Sequence, residues 1–135
     1  MFSKDWLEEL QESWNQKDGL AEQLSAAQFD SVVAFGLVDE DAPRAVLVIR
    51  QGHVSQVATH SESAPDWDLR AEPQQWERWL NDPPGLFALG MAFTTRSLQF
   101  RHGNYPSMIK DPLMAESFKK SFKLMAEAHQ RTCHH

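Results

Sequence analysis

The sequence predicts an α+β domain, with helices packed on an antiparallel-dominated sheet. Three observations carry that expectation. Trp6, Leu7, Leu10 and Trp14 recur at helical spacing. The period then changes, and Val32 to Val38 is apolar on both faces, as in a central strand covered on two sides. At the far end Met114, Phe118, Phe122 and Met125 return at i, i+4, i+8 and i+11, a long amphipathic helix.

The elements follow in order. Ser3 to Ala27 reads as helix, with Ser3 as its cap and a break or bend at Gly19. Phe29–Val38 and Ala45–Arg50 read as strands joined through the turn Asp39–Pro43. Gln51-Gly52 is a tight hairpin signal, and Val54–His60 follows as a more polar edge strand, so the three form a meander. After the loop Ser61–Pro65, Trp67, Leu69 and Ala71 alternate onto one face of a fourth strand. Pro73 opens a short helix with Trp76, Trp79 and Leu80 on one side, and Asp82-Pro83-Pro84-Gly85 ends it. Leu86–Phe93 fits either a helix or a buried strand, since period alone does not separate them. Leu98, Phe100 and His102 alternate as the last strand, and Asp111-Pro112 starts the terminal helix.

The totals narrow the function. The chain has 135 residues, enough for one domain with a real core and too few for two. The net charge of −6 argues against nucleic acid as a partner, although Lys110, Lys119, Lys120 and Lys123 make a local basic candidate. One cysteine, Cys133, allows no internal disulfide. The N-terminus reads as neither signal nor transit peptide, and no apolar run reaches the ~18 residues of a membrane span. The expectation is a cytoplasmic protein without stable membrane insertion.

No Gly-x-Ser-x-Gly elbow and no Gly-rich phosphate loop occurs. The histidines are scattered except for His129 and the Cys133-His134-His135 tail, so no catalytic set, no cofactor and no metal site is expected.

The strand pair Phe29–Val38 and Ala45–Arg50, Trp67-Asp68-Leu69-Arg70-Ala71 with the helix Pro73–Leu80, the apolar segment around Gly90, and the strand Ser97 to Gly103 together resemble the sterol carrier protein type 2 (SCP-2) family. The likeness covers about Trp6 to Met125. It departs from the family at Trp76 and Trp79, where aliphatics are usual, and in the turn before the last strand, which lacks the usual lysine and glycine. The chain also ends Thr-Cys-His-His, without a peroxisomal tripeptide. The resemblance implies a five-stranded sheet and a hydrophobic tunnel between sheet and helices, with the C-terminal helix as a movable wall. Family members take sterols, fatty acids or fatty acyl-CoA there. A prenylated quinone is a further candidate ligand for this chain.

The residues expected to wall such a tunnel are Trp76, Trp79, Leu80, Leu86, Phe87, Met91, Phe93, Phe100, Met108, Met114, Phe118, Phe122 and Met125. The plainer reading of each is core. As a set, rich in adaptable methionine, they suit a cavity that accepts apolar partners. Arg96, Arg101 and Lys110 are candidate anchors for a carboxylate or phosphate at its mouth. Two other readings stand beside the carrier. One is a small cone-shaped α+β isomerase or dehydratase, with Asp68 as base and His102 or Tyr105 as donor. It would end in strands, where the carrier would end in a helix. The other is an adaptor in a biosynthetic complex, anchored by an exposed Trp6/Trp14 helix that would also invite a homodimer.

Overall fold

A computed structural model describes residues 2–16, 20–26, 29–59 and 65–133, without the side chains of Met108 and Cys133. Gly19, where the sequence predicts the bend, lies outside the described residues, as do residues 60–64, His134 and His135. The metal-binding potential of the C-terminal tail falls there too.

The elements are α1 (Lys4–Asn15), α2 (Ala21–Ala26), β1 (Ser31–Leu37), β2 (Ala45–Arg50), β3 (His53–Ala58), β4 (Trp67–Ala71), α3 (Pro73–Asn81), α4 (Leu86–Thr94), β5 (Gln99–His102), α5 (Tyr105–Lys110) and α6 (Pro112–Cys133). The five strands form one sheet in the order β3-β2-β1-β4-β5. All neighbours are antiparallel except β1 and β4, which run parallel at its centre. The ambiguous segment 86–93 is helix, and the chain ends in helix. The short α5 has no counterpart among the elements expected from the sequence. Asn104 caps it by accepting from the Ser107 amide at 3.4 Å.

The register sorts the side chains. Val33, Phe35 and Leu37 of β1 share a face with Ala45, Leu47 and Ile49 of β2. Trp67, Leu69 and Ala71 of β4 join them across the parallel pair, and Phe100 joins from β5. This inner face packs against the helices and forms the core with them. Burying it is the main favourable term in folding, at about 25 cal/mol per Å² of apolar surface.

α1 begins where Ser3 Oγ accepts from the Trp6 amide at 3.2 Å, which satisfies an otherwise orphaned donor. Its tryptophans are not exposed. Trp6 and Trp14 are both buried, and each indole N–H has a carbonyl partner: Met125 O at 3.1 Å and Gly52 O at 2.9 Å. A buried tryptophan needs that partner. This corrects the expectation of an exposed Trp6/Trp14 face, on which the adaptor and homodimer readings rested. α1 is instead pinned to α6 and to the β2–β3 hairpin. Asn15 also covers the edge strand, exchanging two 2.9 Å bonds with the Val54 backbone. The hairpin needs glycine at position 52. Its φ is +83°, and a Cβ there would stand 2.3 Å from the Ser25 amide nitrogen.

α6 is capped by Asp111, whose Oδ1 accepts from the Leu113 amide at 3.0 Å. It is an integral part of the core. Ala115, Phe118, Phe122, Leu124, Met125, Ala126 and Ala128 are all buried. Removing it would dismantle the helical layer. His129 near its end is held below its ordinary pKa, chiefly by burial, with the Glu77 carboxylate acting the other way. A lowered folded-state value means that the unfolded chain binds more protons at mildly acidic pH. The stability contributed above the ordinary histidine value, about 6.5, is lost as pH falls through the lowered one. Urea denaturation at pH 7.5 and at 5.5 is expected to show a smaller acid loss in His129→Gln than in the parent. Equal losses would contradict this assignment.

Candidate ligand cavity

An apolar cavity of ≈ 50 Å³ lies between the inner face of the sheet and α6. Phe35 of β1, Leu69 of β4, Trp14 of α1, Leu24 of α2 and Phe118 of α6 are its buried walls. Phe29, Val33, Trp67 and Met114 line it while half-buried, so they form its rim. Ser117 and Ser121 of α6 complete the lining. The sheet residues arrive there because β1 and β4 pair in parallel, which sets Val33 beside Trp67 and Phe35 beside Leu69. The α6 residues arrive because 114, 117, 118 and 121 fall on one helical face.

At about 10–15 Å³ for each water-sized centre, this volume admits a few such groups and no complete acyl chain. The tunnel implied by the resemblance is not shown as an open passage. The rim is where space can grow, since Met114 is unbranched and adapts its shape.

The residues put forward from the sequence divide into four groups, with Met108 apart. Met114 and Phe118 line the cavity. Trp76, Trp79, Leu80, Phe122 and Met125 are buried in the core where α1, α3 and α6 meet. Phe93 and Phe100 are half-buried around Tyr105, with ring centroids 4.8 and 6.1 Å from its ring, and Leu86 is half-buried on α4. Phe87 is 84% exposed and Met91 50%, both on the outer side of α4. The Met108 side chain is not described. Sequence reasoning missed Trp14, Leu24, Phe29, Val33, Phe35, Trp67, Leu69, Ser117 and Ser121. The serines had a visible signal: they interrupt the apolar stripe of α6 at i+3 and i+7 from Met114.

None of the proposed anchors reaches the cavity. Arg96 and Lys110 are exposed and absent from its lining. Arg101 donates to the carbonyls of Val38, Glu40 and Asp41. Lys119, Lys120 and Lys123 border a separate surface depression beside Pro83–Gly85, and Lys119 pairs with Glu116 at 3.1 Å.

The acid–base pair of the isomerase reading is not assembled either. Asp68 points to the outer face of the sheet, where both carboxylate oxygens accept from Arg70, at 2.6 and 3.0 Å. Tyr105 packs on the inner side against Phe93, Phe100 and Phe118, where burial raises its phenol above the ordinary value. The sheet therefore stands between them. His102 lies opposite Asp68 in register, but it is exposed and the carboxylate is already engaged.

No family model and no curated protein sequence matches this chain. Solved structures do. A crystal structure of sterol carrier protein 2 superposes with a TM-score of 0.71 at 16% identity, covering 94% of this chain and 98% of that one. The solution structure of a conserved hypothetical protein from Thermus thermophilus, suggested to be a sterol carrier protein, gives 0.69 at 16% identity, covering 95% and 89%. The ubiquinone synthesis protein UbiJ-SCP2 gives 0.53 at 9% identity, covering 87% and 82%. The element order and the five-stranded sheet agree with what the SCP-2 resemblance implies, and this chain has the sterol carrier protein 2 fold.

Proposed function

We propose that this chain is a cytoplasmic carrier that holds a hydrophobic small molecule between its sheet and α6. The carrying observation is the apolar cavity walled by Phe35, Leu69, Met114 and Phe118, in a fold shared with sterol carrier protein 2. Candidate ligands are a fatty acid, a fatty acyl-CoA, a sterol-like ring system or a prenylated quinone. UbiJ-SCP2, a ubiquinone synthesis protein, shares the fold and adds weight to the last. Binding needs no chemistry beyond burial. Roughly three or four methylenes, as many as the cavity holds as it stands, supply about 2–3 kcal/mol at about 0.8 each, and each further one buried as the Met114 rim opens adds the same again. No described helix is long and apolar enough to cross a membrane.

Native mass spectrometry of the full chain purified from cells, followed by organic extraction, tests this reading. An apolar molecule is expected at near-stoichiometric level, or, failing that, saturable uptake of an added neutral fluorophore. A protein that carries nothing and takes up nothing would overturn it. The cavity is located by Val33→Phe, which places a larger side chain at the rim. It is expected to weaken fluorophore binding about tenfold, the equivalent of roughly two lost methylene burials, while the melting temperature changes little. Unchanged affinity would place the ligand elsewhere.

A further inference from the structure

Ser117 is 4% exposed, and its Oγ is the one buried side-chain oxygen or nitrogen without a hydrogen-bond partner among the described residues. That is unusual for a helix. Serine and threonine inside helices commonly donate back to a carbonyl one turn earlier. Ser121 does so to Phe118 O at 2.6 Å, and Thr132 to Ala128 O at 3.0 Å. Ser117 does not, and it lines the cavity. A buried unpaired hydroxyl costs stability and asks for an explanation.

We propose that Ser117 is the polar anchor of the cavity, selecting a hydrophobic ligand that carries an uncharged oxygen group, a hydroxyl or a carbonyl, over one that carries a carboxylate. This rests on the carrier reading. The Ser117 hydroxyl donates to or accepts from such a group, as either chemistry requires. Beside it Ser121 has spent its proton on Phe118 O, but its oxygen still accepts. The preference for a neutral group follows from the rest of the lining, which among the described residues contains no lysine, arginine or histidine. A carboxylate placed there would lose its water and meet no countercharge, and burying an unpaired charge is far more costly than burying a hydrogen-bonded alcohol. The cationic side chains considered as anchors, Arg96, Arg101 and Lys110, are all outside the cavity.

The test is competition for a neutral fluorophore by 1-decanol, 1-chlorodecane and, at pH 8, decanoate, against the parent and Ser117→Ala. The three share a ten-carbon chain and differ at its end. The parent is expected to prefer decanol over chlorodecane by about 3- to 10-fold, the range of one neutral hydrogen bond, and to bind decanoate more weakly than decanol. Ser117→Ala is expected to erase the decanol preference while keeping chlorodecane affinity. Its melting temperature without ligand should hold or rise, since an unpartnered hydroxyl has been removed. A decanol preference that survives in Ser117→Ala, decanoate binding as tight as decanol, or a marked fall in melting temperature each overturns the anchor. If the parent binds all three compounds alike, the carrier reading stands and the anchor falls. If it binds none, both fall.

Discussion

Replacing Arg70 by methionine is expected to lower stability by about 3–5 kcal/mol, the usual cost of leaving one partner of a buried ion pair alone. For a chain of this length that corresponds to a melting temperature lower by roughly 10–20 °C. Arg70 is fully buried and Asp68 nearly so. The guanidinium makes two bonds to Asp68 and three more to the carbonyls of Leu37 at 3.0 Å, Glu40 at 2.7 Å and Asp41 at 3.2 Å. Those carbonyls belong to the end of β1 and the segment after it, which folds over the outer face of the sheet. Gly36 makes the approach feasible, since a Cβ there would stand 3.0 Å from Pro43 Cα and 3.1 Å from Arg70 Nε. In Arg70→Met the Asp68 carboxylate loses both guanidinium bonds, and the carbonyls of Leu37, Glu40 and Asp41 each lose one donor while keeping another, from the Glu40 amide or Arg101. The double variant Asp68→Leu/Arg70→Met removes the orphaned charge and is expected to recover part of the loss. Thermal denaturation of the three proteins measures this, and a single variant within about 1 kcal/mol of the parent would mean that the pair behaves as a surface one.

Trp76→Ala is expected to cost a similar amount, about 3–5 kcal/mol, as a large-to-small change in a packed core. Trp76 is fully buried. Its ring meets Phe2 and Trp79 edge-on at 5.3 and 5.4 Å, and lies stacked with Phe122 at 6.1 Å. Its indole N–H donates to Gly36 O at 2.8 Å, which ties α3 to the central strand. Trp76→Phe keeps most of the ring but loses that hydrogen bond, so its loss should be smaller, about 1–3 kcal/mol. Trp76 does not line the cavity, so Trp76→Phe is expected to keep the parent affinity for an apolar probe. Equal stability of Trp76→Ala and the parent in urea would contradict the packing account. A probe affinity that falls with Trp76→Phe would move the ligand into the α1–α3–α6 core.

Local rules made much of this fold legible. Ser3, Pro73 and Asp111 start helices by capping or by a first-turn proline, and each does so in the structure. Gln51-Gly52 turns a hairpin because its backbone requires positive φ. The parallel pairing of β1 with β4 was not legible, since it joins segments more than 30 residues apart through no local signal. Asp68 and Arg70 alternate with apolar residues on β4, and nothing in that local pattern marks them as a buried pair. Only the tertiary return of residues 38–43 buries them.

The cavity was half legible for the same reason. Periodicity assigns residues to faces, and it correctly put Met114 with Phe118, and Trp67 with Leu69. It does not say which apolar faces pack tightly and which meet across a gap. The Trp76 face closes on α1 and α6 as an aromatic core, whereas the gap opens where α6 crosses β1 and β4.

In the proposed carrier an apolar ligand sits between β1, β4 and α6. Intermolecular NOE measurement on methyl-labelled protein saturated with 1-decanol addresses it most directly. Contacts are expected from the decanol chain to the methyl groups of Leu24, Val33, Leu69 and Met114. Contacts confined to Met91 on the exposed side of α4, or none at all, would contradict it.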